Sequence, residues 1–280
     1  MSQVKIINQE KFEELKKTFA KDGFQNIHLL FDFDGTLICK FVDGKKRPFL
    51  ISVFRDEGYL TSDYPEKAKA LFEKYHPMEN DQNLNLEERK GAMEKWWREH
   101  FELLIKSGLS KKDVEKVIKS QDLEFRQGVK EIFEMAESNK IPVLIISAGG
   151  LGEESINIYL EDANLKKENV EIISNAFLWG EGGKAISVRK PIVHSLNKDE
   201  TVLSENVQEK IKNRKNVILV GDNLGDISMV GDFEYDNLLK IGLLNEQDEQ
   251  KEESFVENFY VVIKGDSDLD FLVDFLKEIK

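Results

Sequence analysis

The chain has 280 residues, 40% of them apolar and 10% aromatic, which excludes disordered and collagen-like chains and suffices for one or two packed domains. Fifty-three acidic residues against forty basic ones give a formal charge of −13, which excludes the basic footprint of a general nucleic-acid binder. The single cysteine, Cys39, rules out an intrachain disulfide, and no stretch approaches the ~20 apolar residues that cross a bilayer.

The N-terminal run carries no apolar leader core. Phe12, Leu15 and Phe19 then share one face and predict a helix over 9–22. His28-Leu29-Leu30-Phe31 forms a short continuous apolar run, the mark of a strand covered on both sides. Residues 40–126 hold almost no such run and read as helices over 64–75, 85–106 and 111–120, the last opening on Ser110 with Asp113 three positions on. Apolar runs resume at 141–146, 217–220 and 260–263, with weaker ones at 170–173 and 238–244, and helical patterns lie over 127–139, 151–162, 204–213 and 268–280. Strands alternating with helices predict right-handed crossovers and a parallel sheet wrapped by helices, an α/β fold. The expected organisation is an α/β core of residues 1–39 and 127–280, with a helical cap of residues 40–126 inserted after the first strand. Among the remaining segments, 180–184 reads as a hairpin-like turn, acidic 245–254 as a solvated loop or helix face, and Lys45-Lys46-Arg47 as an exposed turn. His28, His76, His100 and His194 show no metal-ligand spacing and read as structural or surface residues.

The three strongest buried-strand runs all end in polar groups. The first ends in Asp32-Phe33-Asp34-Gly35-Thr36, the second in Ser147-Ala148-Gly149-Gly150, the third in Gly221-Asp222-Asn223-Leu224-Gly225-Asp226. In an open parallel sheet the carboxyl ends of neighbouring strands share one crevice, where ligands bind. Four aspartates meeting there repel one another unless a cation joins them, and hard oxygen donors select Mg²⁺. Asp32 and Asp34, two apart on an extended chain, project to the same side, and Gly35 permits a tight exit. The N–H groups of the 147–150 turn, ahead of a helix, suit phosphate oxygens. An isolated Asp-x-Asp is more often a turn cap; the second pair, Asp222 and Asp226, favours the metal reading.

Those motifs in that order resemble the haloacid dehalogenase superfamily. The resemblance implies a Rossmannoid parallel sheet with an inserted helical-bundle cap, and a two-step phosphoryl transfer through an aspartyl-phosphate. It implies Asp32 as nucleophile and Asp34 as general acid, then base. Ser147, with Ala148 and Gly149 beside it, would contact the phosphoryl group. Mg²⁺ would be held by Asp32, the Asp34 carbonyl, Asp222 and, through water or orientation, Asp226.

Further segments are similar to the cytosolic 5′-nucleotidase III family, which includes pyrimidine and 7-methylguanosine-monophosphate nucleotidases. They are Lys74-Tyr75-His76-Pro77-Met78-Glu79, Leu86-Glu87-Glu88-Arg89, Met93-Glu94-Lys95-Trp96-Trp97, Ile173-Ser174-Asn175, Val193-His194-Ser195-Leu196-Asn197-Lys198 and Leu239-Lys240-Ile241-Gly242-Leu243-Leu244-Asn245. This likeness implies a Mg²⁺-dependent 5′-nucleotidase whose substrate is a nucleoside monophosphate. It implies Lys198 as the catalytic lysine, with Lys184 and Lys190 its competitors on sequence alone. Glu79 would read the nucleobase edge, and Phe41 and Trp97 would sandwich the base; Trp96, about 100° away on the same helix, can be core. Asn175 either lines the phosphate site or serves the turn after its strand. Two other readings stand beside this one: a phosphatase of another small ester such as phosphoserine, and a non-catalytic nucleotide-binding regulator on the same fold. A cytoplasmic monomer or weak homo-oligomer is expected, without nucleic-acid or membrane partners.

Overall fold

Six apolar runs form six parallel strands of one sheet, because each can be buried on both faces. The computed structural model describes residues 3–56, 58–121, 123–198, 203–231 and 234–279. The chain opens with β1 (Gln3–Ile6), α1 (Gln9–Asp22) and β2 (Ile27–Phe31). A short hairpin, β3 (Phe41–Val42) and β4 (Lys45–Lys46), then leads into four helices: α2 (Leu50–Asp56), α3 (Tyr64–Tyr75), α4 (Leu86–Lys106) and α5 (Lys111–Ser120). The chain returns through α6 (Val129–Ser138), β5 (Val143–Ser147), α7 (Gly152–Asp162), β6 (Val170–Ser174) and a second hairpin, β7 (Phe177–Trp179) with β8 (Ala185–Val188). It closes with α8 (Glu205–Ile211), β9 (Asn216–Gly221), β10 (Asn237–Leu244), α9 (Glu249–Asn258), β11 (Val261–Lys264) and α10 (Asp270–Lys277).

The sheet order is β1-β11-β10-β9-β2-β5-β6, with β1 alone antiparallel. Strand alternation divides the core into two layers. Leu29, Phe31, Val143, Ile145, Ile218 and Val220 face α1, α6, α7 and α10. Leu30, Leu144, Ile146, Val217 and Leu219 face α8, α9 and the 3₁₀ segment Leu224–Val230. Because β9, β2 and β5 are neighbours, their carboxyl ends, at Gly221, Phe31 and Ser147, emerge side by side.

The helices of the 50–120 segment do not form a detached body. Phe54, Tyr64, Phe101, Leu104, Val114 and Val117 join the larger core layer, while Tyr75, Ala92, Met93 and Trp96 make a small distal cluster. Asn85 caps α4 reciprocally with Glu88, its side chain accepting from Glu88 N at 3.0 Å while Glu88 accepts from Asn85 N at 2.8 Å. At the start of α5, Asp113 accepts from both the N–H and the hydroxyl of Ser110. The two linkers of the segment run together: Cys39 N donates to Glu124 O at 2.9 Å and Arg126 N to Leu37 O at 2.9 Å.

Several elements differ from the sequence expectations. The 40–126 segment contains the β3–β4 hairpin and the short α2, where only three helices were expected. Arg47 departs from the exposed turn: it is half-buried, and its guanidinium bears on Asp34 and Tyr159, while Lys45 and Lys46 are exposed. The 245–254 run resolves into a loop and the first part of α9, which buries Phe255. The 180–184 turn is a hairpin connection, with Gly180 N donating to Lys184 O at 2.8 Å. Lys280, the last residue of the expected final helix, lies outside the described residues.

Candidate active site

The end of β2 carries Asp32, 5% exposed, and the end of β9 leads into Asp222 and, one turn later, Asp226. Ligand oxygens of these three carboxylates lie within 4.8 Å of one another. Two glycines make that approach possible. A Cβ on Gly221 would stand 2.5 Å from the Asp226 Cβ, and one on Gly35, at φ +75°, would stand 2.7 Å from Asp222 Oδ2. The 3₁₀ segment begins with Asn223 accepting from Gly225 N at 2.9 Å, and Asp226 Oδ2 accepts from Asn223 N at 2.9 Å. This turn aims Asp226 back at Asp32.

Two lysines compensate these acids. Lys198, 7% exposed, donates to Asp226 Oδ1 at 2.9 Å and also to Asp32 Oδ1. Lys40 donates to Asp222 Oδ2 at 3.2 Å, at the point where the chain leaves the sheet for the β3–β4 hairpin. Burial works against the Lys198 charge, but the Asp226 and Asp32 carboxylates outweigh it and hold the ammonium above the usual lysine range. Burial pushes Asp32 well above the ordinary carboxylate range against the pull of Lys198, and raises Asp222 against the pull of Lys40. Counted with Asp34, four carboxylates meet these two ammonium groups, the Arg47 guanidinium, which bears on Asp34, and Lys251, which bears on Asp222. The all-oxygen donor set of the triad fits a divalent hard cation.

Asp34 stands apart from the triad. Its Oδ2 faces the turn after β5, only 3.6 Å from where a Cβ on Gly149 would be, and the Ser147 hydroxyl is 3.3 Å from the same point. Burial raises the Asp34 pKa to about 6, with Lys198 and Arg47 pulling the other way and Asp222 adding to the rise. Asp32 and Asp34 therefore have different surroundings, one against a cation and metal-type donors, the other against a hydroxyl and a glycine turn. Ser147 is 2% exposed, and its hydroxyl accepts from Gly149 N at 3.1 Å. Behind it, Ser174 donates to the Ser147 carbonyl at 2.7 Å.

Asn175 sits behind the 147–150 turn at the end of β6. It is 1% exposed, and its amide is spent on Val193: Nδ2 donates to Val193 O and Oδ1 accepts from Val193 N, each at 2.9 Å. The amide also reaches the 147–150 turn, Nδ2 donating to Gly149 O at 3.5 Å, so Asn175 joins that turn to the 191–198 loop. Its work is to tether the 191–198 loop, from which Lys198 hangs, to the end of β6. Asn197 stiffens the same loop, accepting from His194 N at 2.6 Å and donating to Ile192 O at 2.8 Å.

Of the aromatic candidates, Trp97 lies over the 147–150 turn, its ring 2.8 Å from where a Cβ on Gly150 would be. It also stacks on Phe101 and His100, at centroid distances of 5.4 and 5.9 Å. Trp96 turns into the distal cluster with Met93 and Tyr75. Phe41 begins β3, its N–H held by Asp266 at 2.8 Å. Glu79 is half-buried in the turn His76–Glu79, which packs on α4, and Arg89 donates to its carbonyl at 3.3 Å. Lys184 donates to Gly108 O on the far hairpin and Lys190 is exposed, so of the three candidate lysines only Lys198 meets the carboxylates.

Sequence reasoning missed Lys40, Asn197, Arg126, Asn245 and Asp266. Of these only Asn245 carries a signal, since it ends the β10 apolar run as Asp32 and Ser147 end theirs. Among the described residues no helix is long and apolar enough to cross a membrane.

Comparison with known proteins bears on this geometry. Residues 36–280 match the pyrimidine 5′-nucleotidase (UMPH-1) family, a match that begins two residues after Asp34. The chain is 29% identical to the 7-methylguanosine phosphate-specific 5′-nucleotidase of Gallus gallus, over 99% of this chain and 96% of the relative. It is 27% identical to the enzyme of that name from Homo sapiens, over 96% and 90% respectively. Among solved structures, cytosolic 5′-nucleotidase IIIB bound to cytidine superposes with a TM-score of 0.85 at 25% identity, covering 98% of this chain and 93% of that one. A phosphoserine phosphatase, solved as a phospho-aspartyl intermediate analogue, shares the fold at a TM-score of 0.53 and 21% identity, over 91% and 99%. With the haloacid dehalogenase fold and its carboxylates in place, the chain belongs to the pyrimidine 5′-nucleotidase (UMPH-1) family.

Proposed function

We propose that this protein is a Mg²⁺-dependent 5′-nucleotidase that hydrolyses a pyrimidine or 7-methylguanosine nucleoside 5′-monophosphate to nucleoside and phosphate, by way of an aspartyl-phosphate on Asp32. The observation that carries the reading is the division of the acids. Asp32 sits in the triad with Asp222 and Asp226, and Asp34 sits opposite, beside Ser147.

The chemistry follows from that arrangement. An Asp32 carboxylate oxygen attacks phosphorus, and the P–O bond to the 5′ oxygen breaks as Asp34 delivers its proton there. Asp34, now a carboxylate, takes a proton from water, whose oxygen attacks the aspartyl-phosphate and frees Asp32 and inorganic phosphate. With its pKa raised to about 6, Asp34 has an affinity for the proton intermediate between its two duties. Lys198 would neutralise the phosphoryl oxygens, and Ser147 with the Ala148 amide would orient them, the Gly149 N–H holding the Ser147 hydroxyl. Asp32, Asp222 and the Asp34 carbonyl, with Asp226 beside them, would hold Mg²⁺, which when bound supplies charge neutralisation at the phosphoryl oxygens. Trp97, over the 147–150 turn, and Phe41 would offer aromatic faces to a base, and Glu79 a carboxylate to its N–H groups.

A panel of UMP, CMP, 7-methyl-GMP and phosphoserine, run with Mg²⁺ and with a chelator, tests the assignment. Turnover of a nucleotide that the chelator abolishes is expected. Turnover of phosphoserine at or above that of every nucleotide would count against it, as would full activity in Asp32→Asn. Tight nucleotide binding without phosphate release would favour the regulator reading instead.

A further inference from the structure

Among the described residues Arg126 is the largest fully buried side chain, 2% exposed, and no part of the chemistry above uses it. It stands on the return linker of the helical segment and spends its guanidinium on five acceptors. Nε donates to Thr36 O at 2.9 Å and Nη1 to Ser267 O at 2.5 Å. Nη2 donates to Gly35 O at 2.7 Å, to Asp266 Oδ1 at 2.8 Å and to Asn245 Oδ1 at 3.1 Å. A buried cation with this many partners marks a network under strong geometric control.

The contact with Asn245 has a chemical consequence. A carboxamide has one acceptor end and one donor end. With Oδ1 turned to Arg126, Nδ2 faces the acids: it donates to Gly35 O at 2.8 Å and to Asp222 Oδ2 at 3.3 Å. Lys40 donates to the same Asp222 oxygen. Both hydrogen bonds therefore fall on Oδ2, which leaves Oδ1 of Asp222 for a further ligand. The clamp on the Gly35 and Thr36 carbonyls fixes the turn that carries Asp34. Through Asp266 the network reaches the outgoing linker as well, since Asp266 accepts from Lys40 N at 3.0 Å and Phe41 N at 2.8 Å.

We propose that Asn245, oriented by buried Arg126, is a positioning residue of the metal site: it holds Asp222 in the rotamer that presents Oδ1 to the cation. This rests on the Mg²⁺ reading of the Asp32, Asp222 and Asp226 group. Outer partners of metal ligands set affinity in this way, and losing one costs about 10–100-fold.

The test is calorimetric titration of Mg²⁺ into the resting protein, with no substrate present. Wild type is compared with Asn245→Leu, which keeps the volume and removes the amide, and with Arg126→Lys, which keeps the charge and removes the fork. Asn216→Ala is the control; Asn216 is a buried asparagine on β9 that bonds Asp22 and Asn237, away from the acids. Asn245→Leu is expected to bind Mg²⁺ about tenfold or more weakly, Arg126→Lys more weakly than wild type, and Asn216→Ala within a factor of two. In turnover at saturating Mg²⁺, Asn245→Leu is expected to lose kcat with KM for nucleotide unchanged. Should Asn245→Leu fail to fold, Asn245→Ala takes its place. A folded Asn245 variant with wild-type Mg²⁺ affinity and kcat overturns the proposal and leaves the metal reading standing. A wild-type protein that binds no Mg²⁺ overturns the metal reading and the proposal with it.

Discussion

Gly152 offers a direct measure of how tightly the phosphate-side turn is locked to the loop bearing Lys198. It opens α7 at φ +55°, and a Cβ built on it would stand 1.7 Å from the Asn175 carbonyl oxygen and 2.6 Å from its carbon. Both atoms are backbone, so no rotamer change relieves the overlap, and α7 and the end of β6 must part by about 1.5 Å to reach ordinary contact. Gly152→Ala is charged with the positive φ, roughly 1–2 kcal/mol, and with overpacking of about 1–3 kcal/mol. It also loses the Glu153 N–H bond to Asn175 O, 2.8 Å long, worth about 1 kcal/mol. The total is on the order of 4 kcal/mol, a large fraction of a typical domain's stability. Asn175 carries the 191–198 loop through Val193, so Lys198 moves with it, and a shift of this size costs on the order of 100-fold in kcat. Urea unfolding followed by circular dichroism reads the first effect and nucleotide turnover the second. Gly182→Ala is the control: φ is +68° with open space around it, so it is charged with the backbone term alone. If Gly152→Ala unfolds within 1 kcal/mol of Gly182→Ala and turns over at the wild-type rate, the contact between the two loops is not as described.

Two further outcomes are expected. Removing the buried cation in Lys198→Met leaves Asp32 and Asp226 facing each other, which costs about 3–5 kcal/mol in chelator. Thermal scans with and without Mg²⁺ should show a larger Mg²⁺-dependent stabilisation in the variant than in wild type, and equal stabilisation would contradict it. His100 is buried against Tyr64 Oη at 2.9 Å, and burial, with Arg55 nearby, lowers its pKa to about 4. The unfolded chain, with an ordinary histidine near 6.5, binds the extra proton between those values, so His100 keeps its full contribution above pH 6.5 and loses it as pH falls toward 4. Between pH 7 and pH 5 wild type should lose about 2 kcal/mol more stability than His100→Gln; parallel pH curves for the two would refute the buried neutral imidazole.

Legibility in the sequence followed distance along the chain. The acids were readable because each terminates an apolar run that is itself a local signal, and the strand order of a parallel sheet then brings those ends together. The cations and amides that complete the site were not. Lys40 meets Asp222 from 182 residues away, Asn245 meets the Gly35 carbonyl from 210, and Arg126 meets Gly35 from 91. No periodicity encodes such pairs. Lys198 was singled out by family likeness alone, and the geometry separates it from Lys184 and Lys190. The β3–β4 hairpin escaped because two-residue strands have no period to detect. In α2 the sequence Leu-Ile-Ser-Val-Phe-Arg-Asp is too short and too β-branched to announce a helix. Asn175 kept two readings for a related reason: a polar residue at the end of a strand can serve either ligand or loop, and its bonds to Val193 come from a loop the sequence does not place.

The distances within the acid triad imply that its cations are needed for folding as much as for chemistry. Two like charges 4.8 Å apart, the outer bound for this group, repel by about 3 kcal/mol at an effective dielectric constant of ~20. Three such pairs bring on the order of 10 kcal/mol, comparable with the whole stability of a domain. An uncompensated triad would therefore unfold the protein or take up protons, and the raised pKa of Asp32 and of Asp222 shows which way the site leans. The close approach is nonetheless built in, because Gly35 and Gly221 leave no side chain to hold Asp222 and Asp226 apart. Lys198 and Lys40 each arrive on a loop fastened by buried amide or carboxylate contacts, Lys198 by Asn175 and Lys40 by Asp266. The sheet thus concentrates the negative charge, and the loops supply only part of the compensation. Further compensation can come from a cation, for which the three carboxylates offer oxygen donors.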